Sequence, residues 1–146
     1  MRIQFDAQGS PTPQPTQRQA IWRAYNGDTI TFEGRFTLKN NVPINYDNCI
    51  LTFVMRDQRF ELEPIWTGSW RNGIELISPE HPGLCRVKIP DTISASLRRG
   101  SYIFSLLVVD KESGVRETRM EGMLEIDYAP TSPSHDIPYR TAESGL

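Results

Sequence analysis

Cysteine and histidine are scarce here, with two of each in 146 residues. Cys49 and Cys85 cannot supply the disulfide framework that holds small secreted domains together. Each lies in an apolar stretch ("NCILTFVM", "GLCRVKI"), where a reduced thiol serves as a small hydrophobe. His81 stands in a "PEHPG" turn and His135 near the C-terminus. Neither has a second histidine or a cysteine at ligand spacing, so no zinc site is expected. Long apolar runs are missing too. None approaches the roughly 18 residues of a membrane span, and "MRIQFDAQGS" holds no apolar signal-peptide region. A membrane partner is not expected, and synthesis in a cytoplasm is.

Charge of one sign is also lacking. The formal net charge is −2, which gives no argument for a nucleic-acid partner. Its distribution says more. Arg2, Arg18 and Arg23 against Asp6 leave residues 1–26 mildly basic, while Asp136 and Glu143 against Arg140 leave residues 129–146 mildly acidic. A basic N-terminal end on an acidic body can pair with an acidic neighbour, including a second copy.

Proline, by contrast, is concentrated. Six of eleven prolines fall in the two ends: Pro11, Pro13, Pro15, Pro130, Pro133 and Pro138. Proline fixes φ and removes a donor, so "PTPQP" favours extended, polyproline-like chain. At about 3.1 Å per residue, twenty such residues span roughly 60 Å, far beyond the ~13 Å radius of gyration of a 100-residue core. Residues 1–26 and 129–146 are therefore expected to be extended arms flanking one domain, residues 27–128. Ile3 and Phe5 on one face of "RIQFD" suit addition to a neighbour's sheet edge. Trp22 and Tyr25 in "IWRAY" suit a position across the core where the arm leaves it. With Arg18, Arg23, Ile137 and Tyr139, these are the expected partner-binding residues.

Between the arms the pattern is that of strands. "TITFEGRFTL" alternates, with Ile30, Phe32, Phe36 and Leu38 on one face and Thr31, Glu33, Arg35 and Thr37 on the other. Gly34 takes the apolar register, as a bulge or a close backbone approach would require. "CILTFVM" points Cys49, Leu51, Phe53 and Met55 inward, "RFELEP" aligns Phe60 with Leu62, and "LCRVKIP" aligns Cys85, Val87 and Ile89. "IWTGSWRNG" reads as a loop or irregular hairpin, followed by the short strand "GIELIS". "DTISASLRRG" is the one helical candidate, with Asp91 as cap, Ile93 and Leu97 at i,i+4, and Gly100 as stop. "SYIFSLLVVD" aligns Tyr102, Phe104, Leu106 and Val108, and "VRETRMEGMLEIDY" returns as a long strand bent at Gly122. About seven strands at short intervals predict an all-β, Ig-like sandwich.

Chemistry-bearing patterns are few. Asn40, Asn41, Asn45, Asp47 and Asn48 offer oxygens, yet they contain one carboxylate where calcium loops use several; such residues are expected in turns in any case. A carboxylate pair for glycoside hydrolysis needs two acids facing one cleft; Glu61 and Glu63 share a strand face, as the polar residues of any solvated face do. No GxSxG, Cys/His pair or Gly-rich phosphate loop is present. No catalytic residue, metal or cofactor is expected, and the chain is not read as an enzyme. Trp66 and Trp70 remain open: they can cap the core, anchor an interface or stack on sugar rings.

One layout has a likeness. "NGDTITFEGRFTLKNNVPINYDNCILTFVMRD" and "VKIPDTISASLRRGSYIFSLLVVDKESGVRETRMEGMLEI" resemble the small β-sandwich domains of tailed-bacteriophage structural proteins, such as baseplate upper proteins and tail or fibre attachment proteins. There a "GDT" strand opens the domain and a glycine-marked hairpin closes it. The resemblance covers residues 27–128. It implies structural hairpin positions at Gly100, Tyr102, Gly114 and Gly122, and brings no catalytic residue. The chain departs from the pattern in showing no C-terminal receptor-binding or coiled-coil segment.

The expected function is a non-enzymatic subunit of a tailed-phage virion, assembled in the host bacterial cytoplasm. Its arms would join tail, baseplate or fibre components, with other virion proteins and copies of itself as partners. The alternatives are a capsid decoration or cement protein, and a carbohydrate-binding module using Trp66 and Trp70.

Overall fold

The computed structural model describes residues 2–5, 21–59 and 63–129. Its strands are β1 (Arg2–Phe5), β2 (Ile21–Tyr25), β3 (Thr31–Arg35), β4 (Cys49–Asp57), β5 (Pro64–Trp70), β6 (Gly73–Leu76), β7 (Leu84–Lys88), β8 (Gly100–Asp110) and β9 (Arg116–Asp127), with a helix α1 (Asp91–Ser96) before β8. Hydrogen bonding links them in the order β1-β3-β7-β6-β5-β4-β8-β9-β2. The link between β5 and β6 is only two residue pairs long, Ser69 with Gly73 and Trp70 with Ile74. Arg71 and Gly73 take left-handed backbone there. The sheet folds over at this corner, which brings Phe32 of β3 to 4.9 Å from Phe53 of β4 and 4.5 Å from Phe104 of β8, ring centre to ring centre. Two layers facing each other make the all-β sandwich that the strand pattern predicts.

Period-two alternation accounts for the core. Cys49, Leu51, Phe53 and Met55 of β4 are fully buried, as are Phe32, Ile30 and Ile89, and Tyr102, Phe104, Leu106 and Val108 of β8 are nearly so. Tyr102 carries its hydroxyl inward and donates it to the Arg98 carbonyl at 2.6 Å, which satisfies the one polar atom of a buried ring. Ser94 of α1 is likewise buried and donates to the Asp28 carbonyl at 2.6 Å, tying the helix to the turn before β3.

Several expectations need correction. Among the described residues the strands number nine, because residues 2–5 and 21–25 belong to the sheet: β1 pairs in parallel with β3, and β2 in parallel with β9. Residues 2–5 therefore augment the sheet of their own chain, and Ile3 is fully buried in it. Residues 64–70 form a strand paired with β4 instead of a loop. Asp91 is the first helical residue; the capping position is Pro90, which has no side chain able to accept. The irregularity in β9 falls at Arg119, where Leu106 pairs with Met120 and Leu107 with Thr118, and Gly122 sits in regular register opposite Phe104. Gly34 is not bulged either, being in register with both Cys85 and Phe5. Glu33 was expected on the solvated face, yet it is buried, held by Arg86 Nε at 2.7 Å. The strand expected around Phe60 and Leu62, and Glu61, lie outside the described residues.

Asp57 closes β4 with a compact ion pair. Its carboxylate accepts Arg59 Nε at 3.0 Å, Arg59 Nη2 at 2.9 Å and the Arg59 backbone N–H at 2.9 Å. The side-chain hydrogen bonds from Arg59 hold the Asp57 carboxyl below its ordinary value. A lowered folded-state value means that the stabilisation is present above the unfolded carboxylate value, about 3.9, and is lost as pH falls through the folded one. The melting-temperature gap between wild type and Asp57→Asn should therefore be widest near neutrality and shrink below about pH 4. Thermal melts across that range check it, and a gap that widened in acid would contradict the pairing.

Candidate functional site

Three local arrangements bear on function, and the first is the tryptophan corner. Trp66 lies with its ring over Gly68 and Gly73; a Cβ on either glycine would come within 2.8 Å or 2.6 Å of the ring. Its other neighbour is Phe53, 5.7 Å between ring centres. Trp70 donates its indole N–H to the Cys49 carbonyl at 2.9 Å and meets Tyr46 edge-on at 4.7 Å, and the Arg71 guanidinium caps Tyr46 at 4.2 Å. Both tryptophans are partly buried against the core. Of the three readings left open by the sequence, core capping is the one these contacts describe. Tyr46 and Arg71 were not singled out by sequence reasoning; only the fold brings them to Trp70.

The second arrangement is a groove of about 680 Å³ at the β2 edge, with Arg23, Tyr25, Arg99, Ser101, Glu125 and Asp127 among its lining. Four of its charges are paired, Arg23 Nε to Glu125 at 2.8 Å and Arg99 Nε to Asp127 at 3.0 Å, while the Asp28 carboxylate accepts the Tyr25 backbone N–H at 2.9 Å. Tyr25 is 48% exposed at its rim. Alternation along β2 decides which side chains face outward. Trp22 turns inward to 5.8 Å from Phe104 and Ala24 is buried, leaving Arg23 and Tyr25 facing outward. Of the other residues expected to bind partners, Ile3 is a core residue, Phe5 lies in β1 with its side chain undescribed, and Arg18, Ile137 and Tyr139 are outside the described residues.

The third arrangement is the Asx-rich connection before β4. Asn45 Oδ1 accepts the backbone N–H groups of Asp47 and Asn48, and Asn48 Oδ1 accepts that of Asn45. These oxygens shape the turn. Among the described residues no cluster of histidine, cysteine and carboxylate has metal-binding geometry. Both thiols are buried and free, and burial pushes Cys49 up to about 11 and Cys85 up to about 12. A protonated, enclosed thiol is a poor nucleophile.

No family model and no curated protein matches the sequence. Among solved structures, the chain is similar to CopC from Methylosinus trichosporium OB3b, at 12% identity and a TM-score of 0.46 over 77% of this chain and 89% of that one. It is similar to the N-terminal domain of phage TP901-1 ORF48, at 12% identity and a TM-score of 0.42 over 86% and 96%. It is also similar to the NK cell receptor Nkp44, at 14% identity and a TM-score of 0.43 over 76% and 100%. One structural neighbour is thus a phage protein domain, and likenesses of this degree assign neither family nor ligand.

Proposed function

We propose that the chain is a non-enzymatic structural subunit of a tailed-phage virion, joining tail, baseplate or fibre components and assembled in the host cytoplasm. The observation that carries the reading is the β8–β9 hairpin, where the glycines and the tyrosine of the phage-like sequence layout each have a structural task. Gly100 has a φ of 152° and lies under the Arg59 guanidinium, and Gly114 turns the hairpin at a φ of 74°. Tyr102 locks the entry through Arg98. Gly122 occupies an inward register between the buried Met120 and Leu124, opposite Phe104, where Trp22 from β2 comes in against that ring. What remains exposed is suited to polypeptide contact: a groove of paired charges with an exposed tyrosine, on an edge strand.

The test is to purify particles from a lysate of the bacterium carrying the gene and to locate the chain with gold-labelled antibody. Label at the tail or its tip is the expected result. Label spread over the capsid would favour decoration, and particles without the chain would end the virion reading. A chain truncated before residue 130 should fail to enter particles, and unchanged incorporation would remove the C-terminal segment from the joint. Carbohydrate binding is disfavoured, because the Trp66 ring is spent on two glycines and the Trp70 N–H on Cys49.

A further inference from the structure

Among the described residues β2 is an edge strand, the last in the sheet order. Every second residue of such a strand turns its backbone N–H and C=O away from the sheet, where another extended chain can pair with them. The hydrogen bonds around Tyr25 show which residues these are. The Asn26 N–H donates to the Asp127 carbonyl at 3.0 Å, so Asn26 addresses β9. Backbone groups alternate in direction along a strand, and Arg23 and Tyr25 therefore address the outer edge while Ala24 addresses β9. Both outward groups of Tyr25 are taken, and by one residue. Its N–H donates to Asp28 Oδ2 at 2.9 Å, and its carbonyl accepts the Asp28 N–H at 3.1 Å. The chain leaving β2 thus folds back over the edge it has just formed, and such local bonds compete with pairing to another strand.

The fold-back is anchored from two sides. Gly27 takes the left-handed backbone of the turn, with a φ of 84°, and its N–H donates to the Ser94 carbonyl at 3.1 Å. Ser94, fully buried, donates its hydroxyl in return to the Asp28 carbonyl at 2.6 Å. Helix α1 therefore holds the turn at both Gly27 and Asp28. Opposite, the side chain of buried Asn26 accepts the Ala129 N–H through Oδ1 at 3.4 Å. We infer that the turn from Tyr25 to Asp28 is an edge guard: Asp28 occupies the outward backbone groups of Tyr25 and so bars strand addition at β2. Natural sheets need such devices, because an unguarded edge pairs with other copies. With Tyr25 closed, Arg23 is the one outward position between Ile21 and Tyr25, against the several residues of an ordinary strand pairing. A partner at the adjoining groove is then met by side chains, the exposed Tyr25 ring among them, and not by backbone pairing. The guard acts in this way whether or not the chain belongs to a virion.

Amide exchange and sedimentation velocity of the full-length protein test it. In the wild type the Tyr25 amide, though on an edge, is expected to exchange at least about tenfold more slowly than in an unfolded chain. Asp28→Ala should remove that protection and add a concentration-dependent self-association that the wild type lacks at the same concentration. Asp28→Asn keeps an oxygen acceptor on its side chain and should match the wild type in both measurements. Adding Arg23→Pro to Asp28→Ala should abolish the new association, because proline removes an outward N–H and leaves the bonds to β9 in place. An unprotected Tyr25 amide in the wild type overturns the guard, and that measurement holds even if no variant folds. Protection that survives Asp28→Ala overturns it as well. So does fast exchange in Asp28→Ala with sedimentation unchanged, since the hydrogen bonds would then shape a turn and bar nothing.

Discussion

Phe104→Ala is expected to lower stability by about 3–5 kcal/mol, a drop of roughly 10 °C or more in melting temperature for a domain of this size. Phe104 stands where the two layers meet. Its ring lies 4.5 Å from Phe32 of the opposite layer, 5.9 Å from Phe53 beside it and 5.8 Å from Trp22 of the edge strand, and it is 3% exposed. Truncation removes apolar contact from three neighbours at once and leaves a void between elements held rigidly by long ladders. The nearest group able to relax into it is Trp22, on an edge strand of five residues. The loss should therefore come with partial release of β2, seen as faster amide exchange at Ile21–Tyr25 than at β4. A variant that melts like wild type would mean that the inter-layer aromatic stack is misplaced.

Gly83→Ala should be the most damaging of the glycine substitutions in the turns. Gly83 has a φ of 81°, which costs an L-residue about 1–2 kcal/mol. A methyl group there would also collide with the Phe36 carbonyl oxygen. That oxygen cannot move aside freely: it accepts the Ile44 N–H at 3.3 Å, while the Phe36 N–H donates to the Gly83 carbonyl at 2.9 Å. The expected total is of the order of 3 kcal/mol. Gly114→Ala is the control, with a similar φ of 74° and nothing within 4 Å of the added methyl; it should show the backbone cost alone. Chemical denaturation of both variants separates the terms, and equal losses would remove the steric part of this account.

β4, β7 and β8 were legible because every second residue in each is apolar and meets the opposite layer, so burial alternates even where the outward residues are not all polar. Legibility failed where the partner is remote in sequence. Glu33 looks like a surface residue until Arg86, 53 positions away, is placed beside it. β5 does not alternate, since Ile65, Trp66 and Trp70 cover a corner instead of one face, and a pattern of period two cannot describe a corner. β1 and β2 carry no turn linking them to β3 and β9, so nothing local announces parallel pairing. The β2-edge groove was half visible, with Arg23 and Tyr25 singled out, while Arg99 and Asp127 join them only through that pairing.

The parallel pairing of β2 with β9 sets a timetable for biosynthesis. Arg23 and its mate Glu125 are separated by 102 residues, nearly the whole described chain. At about 5–20 residues per second, the ribosome leaves β2 without its mate for roughly 5–20 s after making it. Trp22 stays without the Phe104 ring for most of that interval, so the apolar surface of β2 waits on strands made some 80 to 100 residues later. A strand made early is sheltered late, and chaperone capture of the nascent chain should centre on residues 21–25.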